Sequence, residues 1–160
     1  MNDPFNDITF SRVDLDNENH CVQLIRLLDV YMSDEMGNGI AMEQSMARKI
    51  VGGLKNHPSY VGFFVQVGGQ YAALANCNRN FSTFKARPLI NIHDLIVHPD
   101  FRKMGIGKFL LDSIASFARE IDCCRINLEV RSDNLKAQKL YHKCGYHECF
   151  PSMFFWEKNL

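Results

Sequence analysis

Arg102, Gly105 and Gly107 fall within six residues of one another in HPDFRKMGIGKFLLDSI, residues 98–114, a stretch that runs directly into an apolar helical pattern. The start of a helix presents several backbone N–H groups without intrahelical partners, together with the positive end of the helix dipole. Such an entrance favours an anion. Glycines at 105 and 107 remove Cβ atoms that would keep a phosphate away from those N–H groups, and Arg102, with Lys103 and Lys108 beside it, can add charge-assisted hydrogen bonds. The chemistry that fits is a pyrophosphate cradle. A lone Gly-x-Gly more often forms only a tight strand-to-helix turn, so the stretch needs company before that reading is taken. Two phosphate loops do not fit. Position 110, where Gly-x-Gly-x-x-Gly needs its third glycine, is Leu110, and no Gly-Lys-Ser/Thr is present, which argues against nicotinamide and nucleoside triphosphate sites.

A second set of polar residues lies just upstream. His93 and Asp94 interrupt PLINIHDLIV, residues 88–97, which is otherwise almost continuously apolar. That pattern predicts a strand buried on both faces in the middle of a sheet. A charge there is costly unless it has a purpose or a partner.

The elements that must position these residues follow from periodicity. ITFSRV (8–13) alternates like a half-buried strand, and residues 17–35 repeat apolar side chains at helical spacing through Cys21, Leu24, Ile25, Leu28 and Tyr31. Glycine and asparagine break that helix in MGNGIAM (36–42), and residues 43–57 predict a second helix stopped by Pro58. SYVGFFVQV (59–67), a Gly68-Gly69 turn and QYAALANCNRNF (70–81) read as an antiparallel hairpin. Beyond Gly107, apolar positions at 109, 110, 114, 117, 118 and 121 predict a helix of about four turns. CRINLEV (124–130) reads as a strand. Residues 132–146 read as a short helix capped by Ser132 or Asp133 and stopped by Gly145. HECF and SMFFWEKN are expected to form a last pair of strands. The order predicts a mixed α/β fold with a strand, helix, strand, helix unit in its second half.

Length and composition bound the function. One domain, residues 1–160, accounts for the 160 residues. Eighteen Lys plus Arg against eighteen Asp plus Glu leave no basic field for nucleic acid or an anionic membrane. MNDPFNDITF has the form of neither a signal peptide nor a membrane span, which points to the cytoplasm. The six cysteines form no CxxC pair and read as reduced thiols in or near the core. Cys144, Cys149, His142 and His147 do not have a usual zinc spacing, so no metal is expected.

What raises Arg102–Gly107 above a plain turn is its register with a second element. Arg102-Lys103-Met104-Gly105-Ile106-Gly107 matches the Arg/Gln-x-x-Gly-x-Gly/Ala motif, and Asn134, Ala137, Tyr141, Gly145 and Tyr146 match Asn-x-x-Ala-x-x-x-Tyr-x-x-x-Gly-Phe/Tyr about thirty residues on. From Leu95 to Tyr146 the chain thus resembles the acetyl-CoA-binding half of the GNAT N-acetyltransferase superfamily. FSTF followed by INIHDLIV looks closest to polyamine acetyltransferases and uncharacterised bacterial relatives. The resemblance implies a GNAT-like fold: a mixed central sheet of six to seven strands, about four helices and a splayed parallel strand pair. It implies transfer of acetyl from acetyl-CoA to the primary amine of a small molecule by direct attack in a ternary complex. A protein N-terminal or lysine acceptor, or a non-catalytic acyl-CoA-binding module, are the alternatives.

By the same resemblance, backbone groups of Leu95, Ile96 and Val97 would hold the pantetheine arm and residues 102–108 (Arg102, Lys103, Met104, Gly105, Ile106, Gly107, Lys108) the pyrophosphate. Asn134 and Ala137 would lie on the cofactor side, although Asn134 could equally be a capping residue. Tyr141 would protonate the departing thiolate, which needs a weak acid nearby. The amine must lose a proton to expose its lone pair. Asp94, His93 and Glu129 compete for that role; where relatives often carry two neighbouring acids, the first here is His93. Asp34 and Glu35, in the loop expected over the acceptor cleft, could attract a cationic amine. A homodimer is common in the superfamily, and the apolar MFFW (153–156) could serve an interface or a core strand.

Overall fold

In the computed structural model, residues 7–37 and 39–160 are described, so Asn38 of the expected 36–42 loop lies outside the described residues. The elements in chain order are β1 (Ile8–Arg12), α1 (Glu18–Ser33), α2 (Gln44–Lys55), β2 (Tyr60–Val67), β3 (Gln70–Ser82), β4 (Arg87–Val97), α3 (Ile106–Glu120), β5 (Ile126–Leu128) and α4 (Leu135–Lys143). The five strands lie side by side in that order, antiparallel except for the β4–β5 pair. Gly68 and Gly69 both take positive φ, 55° and 76°, which is the backbone a two-residue hairpin turn needs between β2 and β3.

Strand alternation sorts the core into two layers. Phe63, Val65, Ala73 and Ala75 face α3, whose Ile106, Leu110, Leu111, Ile114 and Ala118 complete that layer. Phe64, Leu74 and Ile96 face the other way, against Leu24, Leu27 and Leu28 of α1. Each buried Leu or Ile contributes roughly 1.5–3 kcal/mol, so this packing, not helix propensity, keeps α1 and α3 on the sheet.

Register matters most at the centre of β4. Asp94 pairs with Asn76, but the next residue of β3, Cys77, pairs with Ile92, leaving His93 as an extra residue in a β-bulge. Asp94 therefore shares the α1 face with Ile96, while His93 is exposed. The β4–β5 ladder is short: Ile90, Asn91 and Ile92 pair with Ile126, Asn127 and Leu128. Beyond Ile92 the two strands part.

Three expectations are corrected. The sheet among the described residues has five strands, not six to seven, and residues 147–160 form no strand. A short apolar run becomes a strand only where a sheet edge and a face receive it. Here the tail's apolar side chains are almost fully exposed, Phe150 at 99% and Trp156 at 86%, and Pro151 has no N–H for a ladder. The strand expected over 124–130 shrinks to Ile126–Leu128, because pairing with β4 stops there. The cap of the last helix lies one residue after Asp133 and two after Ser132: Asn134 accepts a hydrogen bond from the backbone of Ala137 at 3.1 Å.

Candidate functional site

The site begins where β4 ends. A single 3-10 turn, Pro99–Phe101, links β4 to the basic loop and α3. Gly105 is the N-cap of α3 at φ 79°, in the left-handed region that glycine enters without a Cβ penalty, and no side chain caps this helix. A Cβ added at Gly105 would meet nothing within 4 Å, so backbone conformation selects glycine there. Gly107 differs. A Cβ on it would come within 2.9 Å of Leu140 and 3.5 Å of Val97, so the space its missing side chain leaves is filled by α4 and β4 and is not open to a phosphate. Met104 is half-buried and Ile106 is buried in the core; these two anchor the loop by packing.

The cations of the cradle are already engaged. Arg102 donates from Nε to the Val97 carbonyl at 3.0 Å and from its terminal nitrogen to Asp34 at 2.8 Å. Asp34 caps the C-terminal end of α1 and opens the loop that follows, so this pair joins the loop after α1 to the entrance of α3. The Asp34 carboxyl is held below the usual carboxylate range, first by the Met36 backbone N–H and then by Arg102. Lys108 lies along α3 in an ion pair with Asp112, and Lys103 is exposed at φ 64°. Of the three cations, Arg102 alone is tied both to β4 and to α1.

Beside this entrance lies the parting of β4 and β5. Leu95, Ile96 and Val97 pair with Ala75, Leu74 and Ala73 of β3 on one side and have no β5 partner on the other. An extended chain with its own donors and acceptors fits along such an edge.

The acid and base candidates Asp94 and Tyr141 lie on β4 and α4. Asp94 accepts a hydrogen bond from the side-chain nitrogen of Asn76 at 3.0 Å, and the Asn76 oxygen accepts one from the Tyr60 hydroxyl at 3.0 Å. Tyr141 is largely buried on α4, its ring 5.9 Å from that of Tyr146. Burial, and then the neighbouring Tyr31, push its phenol up to about 12. Tyr31 on α1 is itself raised by burial first and by the Asp94 carboxylate next. Tyr31 thus lies within electrostatic reach of both Asp94 and Tyr141.

The remaining candidates are not drawn in. His93 is the exposed bulge residue, and Glu129 lies past the end of β5, exposed. Asn134 caps α4, Ala137 donates that capping bond, and Arg131 makes a two-pronged pair with Asp133. His98 accepts from the Asp100 backbone at the start of the 3-10 turn, and Glu35 makes no ion pair among the described residues. No group of three or more metal-ligating side chains comes together among the described residues. No helix there is long and apolar enough to cross a membrane. A surface cleft of about 450 Å³ is lined by Asp14, Lys55 and Tyr60 among others, and no candidate acid or base lines it.

Sequence reading missed Asn76 and Tyr60, counted Tyr31 only as part of an apolar face, and did not join Asp34 to Arg102. An asparagine inside the run AALANC was the one available signal, since a polar side chain there must find a partner.

Comparison with known proteins agrees with this geometry. Residues 24–146 match the Acetyltransferase (GNAT) family, and the chain belongs to that family of acyltransferases, whose co-substrate is acetyl-CoA. An uncharacterised N-acetyltransferase of Methanocaldococcus jannaschii is 33% identical over 89 residues, 54% of this chain and 39% of that one. The match therefore spans well under two thirds of that relative. The thialysine N-epsilon-acetyltransferase of Caenorhabditis elegans is 26% identical over 128 residues, 79% of this chain and 77% of its own. An aminoglycoside acetyltransferase from an uncultured soil metagenomic sample, solved with sisomicin, superposes with a TM-score of 0.80 at 16% identity, covering 99% of this chain and all of that one. At that identity the likeness is one of fold.

Proposed function

We propose that this protein transfers the acetyl group of acetyl-CoA to a primary amine of a small molecule, by direct attack with both substrates bound. The observation that carries the reading is the open edge of β4 beyond Ile92, ending at the uncapped, arginine-flanked start of α3. An extended pantetheine arm fits the first and its pyrophosphate fits the second. The residues present therefore suit the co-substrate: Leu95, Ile96 and Val97 offer backbone groups, and Arg102 with the N–H groups after Gly105 offers the anion site. Thialysine and aminoglycosides, the acceptors named for relatives, are both amines, which agrees with a cationic small molecule here.

In the transfer an N–C bond forms at the thioester carbonyl and the C–S bond breaks. The sulfur leaves with the bonding electrons as a thiolate that takes up a proton, and the ammonium loses two protons, the third hydrogen staying on the amide nitrogen of the product. Asp94 is the group placed to receive one of them, because an N–H becomes more acidic as its nitrogen is acylated. Tyr141 serves the sulfur. With its phenol near 12, full proton transfer to a thiolate of ordinary acidity, about 8.5, would be uphill by about 5 kcal/mol. Tyr141 therefore acts as a hydrogen-bond donor that stabilises the departing sulfur as charge builds on it.

The test is thiol release from acetyl-CoA across a panel of amines that includes thialysine and sisomicin. Amine-dependent release that drops about ten-fold or more in Tyr141→Phe, some 1.4 kcal/mol of barrier, is the expected result. Tight CoA binding with no release from any amine in the panel would overturn the reading.

A further inference from the structure

The polar chain behind Asp94 has no place in the transfer as described so far. Asn76 is buried, 5% exposed, and is one of two buried polar residues among the described residues; its neighbours along the strand are Ala75 and Cys77. Burying an amide is costly unless its hydrogen bonds are made. Both halves of this amide are engaged, and in a fixed sense. A carboxylate can only accept, so the nitrogen must face Asp94, which leaves the oxygen for a donor. That donor is the Tyr60 hydroxyl. Burial raises the Tyr60 phenol above its ordinary value, so it stays protonated and keeps donating.

The backbone is arranged to allow this chain. Asn76 pairs across the sheet with Gly62, and Tyr60 precedes Gly62 by two residues on the same face of β2. The Tyr60 side chain lies back over that glycine: a Cβ at Gly62 would stand 2.1 Å from the Tyr60 hydroxyl and 2.7 Å from Val13. A residue with any side chain at 62 would push the hydroxyl off its path to Asn76. Four residues on three strands thus agree on one outcome, the placement of a single carboxylate.

We propose that Tyr60 and Asn76 are positioning residues for Asp94, with Gly62 as the space that admits them. The Tyr60 hydroxyl fixes the sense of the Asn76 amide, and the amide nitrogen holds one oxygen of Asp94 so that the carboxylate keeps a single orientation toward the acceptor. This rests on the reading of Asp94 as the proton acceptor. A carboxylate free to rotate would still be present, but it would spend less time aligned with the amine, and misplacement by about 1 Å can cost on the order of a hundred-fold in rate. Partners one step removed from a reacting group typically matter by about ten- to hundred-fold.

The experiment compares Tyr60→Phe, Asn76→Ala, Gly62→Ala and Asp94→Ala with wild type, using acetyl-CoA with thialysine and with sisomicin. In the three positioning variants kcat falls about ten-fold while KM for acetyl-CoA stays within about two-fold, a split that general damage to the fold would not give. A second readout does not depend on turnover. In the nitrogen-15 spectrum of the wild type, the Asn76 side-chain amide is shifted and exchanges slowly with water; in Tyr60→Phe and in Gly62→Ala it moves toward free-amide values. Wild-type amide signals already at free-amide values would overturn the proposal. So would wild-type kcat in Tyr60→Phe, Asn76→Ala and Gly62→Ala when Asp94→Ala has lost activity. Full activity in Asp94→Ala would instead overturn the proton-acceptor reading, and the spectrum would still decide whether the amide is fixed.

Discussion

Two helix starts about thirty residues apart meet the same physical requirement in opposite ways. At α4, Asn134 turns its own side chain back onto the Ala137 N–H, so the helix satisfies itself. At α3 the cap is Gly105, which has no side chain to offer, and Arg102, three residues before it, leans away toward Asp34 and the Val97 carbonyl. One entrance is closed by a side chain of the chain itself and the other has no side-chain cap. A motif match marks both stretches alike; capping separates them. In the proposed reading the anion goes to α3, and Asn134 is occupied with capping α4.

The strongest way to break that contrast is Arg102→Ala. Charge-assisted hydrogen bonds are worth about 1.5–3 kcal/mol, so acetyl-CoA affinity measured by calorimetry should fall about ten- to hundred-fold. The melting temperature should hardly move, because the Arg102–Asp34 pair is partly exposed. Unchanged affinity would remove α3 as the anion site.

Asn134→Ala tests the other start. Losing the cap should cost about 1 kcal/mol, a drop of roughly 2–4 °C in melting for a chain of this size, with acetyl-CoA affinity altered less than about two-fold. An affinity loss equal to that of Arg102→Ala would make both starts ligand sites and erase the distinction.

The smallest effect, and the sharpest, comes from Asp34→Asn. Without its carboxylate partner Arg102 is free for phosphate, so acetyl-CoA should bind about two- to five-fold more tightly, in line with the worth of an exposed pair. The Asp34 carboxyl lies below its usual value, so its contribution is complete above the unfolded value of about 3.9 and is lost as pH falls through the lower folded value. Variant and wild type should therefore differ through neutral pH and converge only in acid. Weaker binding in the variant would mean that Asp34 holds Arg102 in place for the ligand.

Local chemistry was legible from sequence to the extent that it stayed local. Arg102, Gly105 and the helix after them follow from spacing along one segment, and the structure places them together at the end of β4. Gly107 shows the limit. Its neighbour Leu140 comes from a helix thirty-three residues further on, so sequence could name the glycine but not what fills its space. The Tyr60, Asn76 and Asp94 chain depends on register between three strands, and a register is set by pairing energies that no single strand carries. The C-terminal segments failed for a related reason: an apolar run such as MFFW is compatible with a strand, but whether it becomes one depends on a sheet edge that lies elsewhere in the chain.

The bulge at His93 has a meaning for chain length. Asn76 and Cys77 are consecutive, and their partners are Asp94 and Ile92. Deleting His93 would therefore leave every later side chain of β4 on its present face, and Asp94 still opposite Asn76. What would disappear is the bend that the extra residue imposes. A straightened β4 could continue along the path of β5 beyond Ile92 and seal the edge on which the extended substrate arm is proposed to lie. His93 was considered for its imidazole; in the fold it is the exposed extra residue of the bulge, whose presence sets the course of β4.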